Sequence, residues 1–95
     1  MTRYIATFFS HFGAMRFFRE REASGCHAKL SPVPRALSSS CGTCVVFDAA
    51  DDFVSEKTPF QDPHGEVEQL VVPETDDTGA ISYRVLYHAG DNDPL

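Results

Sequence analysis

Two thiols separated by two residues, Cys41 and Cys44, stand inside residues 32–47, Pro-Val-Pro-Arg-Ala-Leu-Ser-Ser-Ser-Cys-Gly-Thr-Cys-Val-Val-Phe. No other stretch of the chain groups side chains so suited to covalent chemistry. Thiolate is the form of cysteine that attacks sulfur, so a carrier thiol must be reachable, partly ionised and able to leave again. Cys41 meets the first requirement in the sequence, because it sits in a polar turn just before an apolar, branched and aromatic run that reads as a buried strand. Ser38, Ser39 and Ser40 offer hydroxyl donors, Gly42 lets the backbone turn its amides toward the sulfur, and Arg35 supplies positive charge nearby. These residues are the expected binding groups around Cys41.

Cys44 has two readings. It can resolve a persulfide or a reversible disulfide on Cys41, or serve as a small apolar residue at the head of the strand. A thioredoxin-like CxxC would open a helix, whereas Val45, Val46 and Phe47 favour a strand. Zinc needs three or four ligands. Only Cys26 or His27 could join the pair, a second CxxC is absent, and no metal or cofactor is expected. His11 reads as an exposed or capping residue, and His64 and His88 lie on polar segments without a partner that the sequence identifies.

The composition is globular, at 42% hydrophobic against 23% charged, with eight phenylalanines and three tyrosines. One small domain over residues 1–90 is expected, ending in a frayed tail at 91–95. The net charge of −6 argues against nonspecific nucleic-acid binding, which depends on neutralising phosphates. Six of the eight basic residues precede residue 40 and most acidic ones follow it, so a locally basic half can still dock a partner protein. Without an apolar run long enough to span a bilayer or an export signal, a cytoplasmic protein with reduced thiols is expected, monomeric or a small homo-oligomer, with no membrane partner.

Around the cysteines, residues 4–9 read as a first strand and Ser10 as the cap of a helix from His11 to about Ala23. In that helix Phe12, Met15 and Phe18, with Ala14 and Phe17, form the apolar face, and Gly25 supplies the left-handed stop. Gly13 is a weak point within it. Residues 26–30 and 43–48 read as second and third strands, with Val45 and Phe47 opposite Cys44 and Val46. Residues 49–57 hold a short helix limited by Pro59 and Pro63. Residues 66–72 and 80–88 form a hairpin, in which Ile81, Tyr83, Val85 and Tyr87 share one face. This order predicts an α+β fold, a ferredoxin-like βαββαβ sandwich with a shortened second helix and a C-terminal β-hairpin.

The chain resembles the selenium/sulfur (Se/S) carrier protein-like family, a domain of unknown function, over roughly residues 3–50. The resemblance rests on residues 4–8 with Ser10, on Pro32, Pro34, Arg35, Ser38, Ser39, Ser40, Cys41 and Gly42, and on the strand ending in Phe47. It implies a sulfur or selenium carrier on Cys41, with donor and acceptor proteins as partners, and a carrier more than a stand-alone enzyme. Members continue into a longer acidic helix and a short last strand, where this chain has Pro59, Pro63 and a hairpin. The alternatives are a non-catalytic protein-interaction module and a CxxC thiol redox switch.

Overall fold

The structure, a computed structural model, describes residues 1–90; the expected tail at 91–95 lies outside the described residues. Along the chain come β1 (Thr2–Phe8), α1 (His11–Ala23), β2 (Ala28–Pro32), β3 (Thr43–Ala49), β4 (Val67–Thr75) and β5 (Ile81–His88). The strands form one antiparallel sheet in the order β2-β3-β1-β4-β5. β1 and β2 are therefore parallel but not adjacent, with β3 inserted between them and α1 making the crossover.

β1 is the central strand, and its composition follows from that position. Tyr4, Ala6 and Phe8 face the helix-side core while Ile5 and Thr7 face the other side, and all five are buried. A strand covered on both faces reads as an unbroken apolar run. That run ends at Phe8; Phe9, expected in the strand, lies outside it and is 49% exposed.

Ser10 caps α1 as expected, its hydroxyl accepting from the Gly13 amide at 3.1 Å, and Gly25 follows the helix at φ 83°. The buried side of α1 differs from the expected one. Phe12 is 68% exposed, whereas Gly13 and Ala14 are buried and Phe17 and Phe18 pack on the core. Gly13 is a point of contact, because a β-carbon there would come within 2.9 Å of Glu66 Cβ. The missing side chain lets the helix approach the residue that leads into β4.

The second helix expected over residues 49–57 is absent, so the observed element order, β-α-β-β-β-β, departs from βαββαβ. Residues 50–66 are turns instead. Ser55 and Thr58 exchange backbone hydrogen bonds at 2.9 and 3.1 Å, and Pro59 and Pro63 lack the amides a helix would need. Three side chains of this segment, Phe53, Val54 and Phe60, occupy the place of a helix face on the core. Phe53 lies 5.4 Å from Tyr4 and 5.5 Å from Phe47, and Phe60 lies 5.0 Å from Tyr87, measured between ring centroids.

The hairpin forms, but β4 runs three residues past its expected end, with Pro73, Glu74 and Thr75 paired to Tyr83, Ser82 and Ile81. A register shift between Leu70 and Val71 leaves Leu86 without an opposite residue. The bulge breaks the alternation of β5, so Tyr87 joins the helix-side cluster while Tyr83 packs on the other face. At the turn, Asp76 accepts hydrogen bonds from the Thr78 amide and hydroxyl and from the Ala80 amide. The Thr78 hydroxyl and amide are the main causes holding its carboxyl below the usual range.

Candidate functional site

The segment between β2 and β3 is a loop closed at its base by a hydrogen bond from the Val33 amide to the Gly42 carbonyl at 3.1 Å. β2 lies two residues later than expected, and Pro32, its last residue, still pairs with Thr43; neither Pro32 nor Pro34 can donate to a ladder, so pairing ends there and the chain leaves the sheet. A turn follows, with the Leu37 amide donating to the Pro34 carbonyl at 2.9 Å. Val33 and Leu37 then fold onto the sheet face opposite α1, against Ile5, Cys44 and Val71.

The three serines hold this loop in place. Ser39 Oγ donates to the Phe8 carbonyl at 3.4 Å, and Ser40 donates to the Glu68 carboxylate through its hydroxyl at 2.8 Å and its amide at 3.2 Å. The Ser38 carbonyl accepts from Gln69 Nε2 at 3.2 Å. These contacts take the Ser39 and Ser40 hydroxyls away from the Cys41 sulfur and give them to β1 and β4. Arg35 is exposed and, among the described residues, forms no ion pair. The sequence assigns no role to Glu68 or Gln69. Their contribution depends on a strand pairing that brings residues 28 and 31 positions apart together, and no local pattern announces it.

Cys41 sits on the last bend of the loop and is half-buried. Its thiol donates to the Thr43 carbonyl at 3.4 Å. Gly42, next in the chain, has a φ of 75° and is exposed. That backbone conformation strains any residue with a β-carbon, so the bend that carries the thiol depends on glycine. The Thr43 hydroxyl lies 3.4 Å from His11 Nδ1, which ties the bend to the first turn of α1.

Cys44 is fully buried in β3, opposite Thr7 on one side and Ser31 on the other. Its thiol donates to the Pro32 carbonyl at 3.7 Å. Burial pushes this thiol above its ordinary pKa and the neighbouring Cys41 adds to the effect, while a backbone hydrogen bond works weakly against it. The two cysteines face different parts of the core. Cys41 packs at the edge of the helix-side cluster, whereas Cys44 belongs to the cluster on the opposite face, and both are free thiols. Among the described residues, no three His, Cys, Asp or Glu side chains converge in a metal-binding group.

A cleft of about 820 Å³ lies outside the reach of Cys41, which is not among its lining residues. It runs between Leu37 and Ser38 of the loop and the outer face of β5, where Ile81 is 59% and Val85 51% exposed. No described helix is long and apolar enough to cross a membrane.

Comparison with known proteins bears on the part of the chain that builds this loop. A family model described as "Putative Se/S carrier protein-like" matches residues 3–58, which take in β1, α1, β2, the cysteine loop and β3. No curated protein and no solved structure matches the chain. The family match covers more than half of the sequence, including every residue that holds or carries Cys41 apart from Glu68 and Gln69, and the chain therefore belongs to the Se/S carrier protein-like family.

Proposed function

We propose that the protein carries zero-valent sulfur, or selenium at the same oxidation level, on Cys41 between a donor and an acceptor protein. The observation that supports this most is a half-buried thiol on a loop pinned at both ends, with a left-handed glycine directly after it. Pinning matters because a transferred atom must be presented to two different proteins in one geometry, and a fixed loop loses little freedom on each docking. In the reaction, the Cys41 thiolate attacks the terminal sulfur of a donor persulfide. A new S–S bond forms at Cys41, the donor's S–S bond breaks, and the donor leaves as thiolate. The acceptor thiolate then attacks the terminal sulfur on Cys41 and releases Cys41 as thiolate, so no external oxidant or reductant is required.

Cys44 is a structural residue in this reading. Its thiol is buried, favours the protonated form and faces the other side of the sheet. Ser38, Ser39, Ser40 and Gly42 set the shape of the loop, and Arg35 remains free to meet an acidic surface on a partner.

Incubation with a cysteine desulfurase and cysteine, followed by intact mass spectrometry, tests the proposal. One added sulfur is expected on the wild-type chain and on Cys44→Ala, and none on Cys41→Ser. Absence of an adduct from protein and small-molecule persulfide donors alike, or an adduct that survives Cys41→Ser, overturns it. The second reading is a docking module without chemistry, favoured by the open apolar cleft beside Ile81 and Val85. It predicts instead that Cys41→Ser retains every partner and that Cys41 alkylates no faster than a free thiol.

A further inference from the structure

The sheet ends in two border strands, and the sequence treats their outer edges differently. β2 is five residues long and carries Lys29 and Pro32, features by which sheets discourage the addition of a further strand. β5 is eight residues long and is bordered by β4 alone among the described residues. It contains neither lysine nor proline, and its one guanidinium, Arg84, is already paired with Glu74 at 3.2 Å. The face turned toward the Cys41 loop carries Ile81, Tyr83 and Val85, and both Ile81 and Val85 are more than half exposed. A long, apolar strand edge without such protection is a template for another strand.

We propose that β5 pairs antiparallel with β5 of a second copy, so that two five-stranded sheets become one across a twofold axis. Residues directly opposite each other in an antiparallel pair share a face, so the axis must pass through a residue of the strand. The bulge at Leu86 ends the alternation, which leaves residues 81–85 to define the register. Centred on Arg84, the pairing sets guanidinium against guanidinium. Centred on Ser82, it sets Val85 against Gly79 of the turn. Centred on Tyr83, it sets Ile81 against Val85 twice and Tyr83 against itself on the apolar face, and Arg84 against Ser82 twice on the other. Ser82 is small and lies opposite Glu74 of β4, so the second copy's Arg84 stands two strand spacings, about 9.6 Å, from Glu74 and comes within reach of its carboxylate over the serine. The strand therefore complements itself in its apolar row and in its charge, which favours a second copy over an unrelated chain.

The contact is modest in size. With residues 81–85 and their flanks on each side, it stands at or below the ~1,200 Å² of the smaller specific interfaces, and a Kd of about 10–100 µM is expected. Cys41 belongs neither to this edge nor to the cleft beside it, so the dimer forms whether or not that thiol carries sulfur.

Sedimentation equilibrium of the full chain from about 5 µM to about 1 mM should show the mass rising from one copy to two and no further. Isotope-filtered NOEs on a mixture of labelled and unlabelled chains test the register. Ile81 and Val85 stand about 13 Å apart along one strand, too far for an NOE within a chain, and meet only across the axis. Val85→Lys, at an exposed position, keeps the fold and puts a charge into both Ile81–Val85 pairs, so Kd should rise at least about tenfold. The concentration series and the NOEs use the wild-type chain and stand even if the variant fails to fold. A chain that stays monomeric throughout overturns the proposal and leaves the edge to a strand of another protein. Growth beyond two copies, a dimer without the Ile81–Val85 NOE, or self-association that Val85→Lys leaves unchanged overturns it equally.

Discussion

The two faces of the sheet are built in different ways. On the helix side, Tyr4, Phe8, Phe17, Phe47, Phe53, Phe60 and Tyr87 form a continuous chain of ring contacts with centroids 5.0 to 6.4 Å apart. The opposite face has a small cluster, Ile5, Cys44 and Val71, with Val33, Leu37, Val46 and Tyr83 packed against it. Its cover is the loop that carries Cys41, and beyond Leu37 the face is open along β5. The difference places the aromatic core on one face and leaves the other to be covered by the loop that carries Cys41, although the Cys41 side chain itself packs at the edge of the helix-side cluster. Aromatic burial on the helix side supplies most of the core, so the other face can be covered by a loop whose geometry is set by hydrogen bonds from serines and by Gly42.

That division can be broken by measurement. Phe47→Ala removes a side chain 1% exposed at the crossing of three ring contacts, and should lower unfolding free energy by about 3–5 kcal/mol in urea denaturation. Leu37→Ala on the loop, half-buried and facing the smaller cluster, should cost about 1–2 kcal/mol in the same experiment. Equal losses would mean that the loop side carries as much of the fold as the helix side.

Gly13→Ala sharpens the comparison at the helix. Propensity alone predicts a gain of about 1 kcal/mol from this change. The 2.9 Å approach of a new β-carbon to Glu66 Cβ predicts a loss of about 1–3 kcal/mol instead, because that atom is not the free end of a flexible chain. Thermal and urea unfolding of the variant distinguishes the two signs.

Alkaline pH probes both faces together. Burial raises the pKa of Cys44 above its usual 9.0 and that of Tyr4 above its usual 10.0. In the Tyr4 case, the charges of Asp51 and Asp52 add to burial, while the Thr2 hydrogen bond and Arg84 oppose it. A group whose folded pKa is raised contributes stability that is present below the unfolded value and lost as pH climbs through the folded one. Stability should therefore hold level to about pH 8.5 and fall above it, first through Cys44 and then through Tyr4. Cys44→Ala should flatten the first part of that fall, as read from urea midpoints at successive pH values, and Tyr4→Phe the later part.

The smallest effect belongs to Thr7. Its hydroxyl is buried beside Cys44 without a hydrogen-bond partner among the described residues, so Thr7→Val exchanges an unpaired polar group for a methyl of similar shape. A gain of up to about 1 kcal/mol is expected in urea unfolding. A loss of that size would show that the hydroxyl has a partner in solution.

Much of the architecture follows from local pattern. The cap at Ser10, the stop at Gly25, the two prolines that release the chain from β2, and the alternation along β3 each depend on neighbours a few residues away, so their consequences can be read directly. The stretch after β3 could not be read in the same way. Helix formers between residues 49 and 57 satisfy propensity, yet Phe53, Val54 and Phe60 gain more by reaching the core from turns than from one side of a short helix. Phe12 was misleading for a related reason: Gly13 and Ala14 allow the closest approach to the sheet, which rotates Phe12 outward and brings Arg21 inward.

The candidate site divides along the same line. A thiol in a Ser-Ser-Ser-Cys-Gly turn before a buried strand, and with it the family of the chain, is determined by the order of residues alone, since turn chemistry and strand preference are short-range. Which way each side chain then faces was decided only by the tertiary fold. Sheet pairing sets Cys41 and Cys44 against opposite sides of the core and draws the serines to Phe8, Glu68 and Gln69. Contacts across 28 or more residues of chain leave no periodic trace in the sequence, because they depend on which strands become neighbours and in what register.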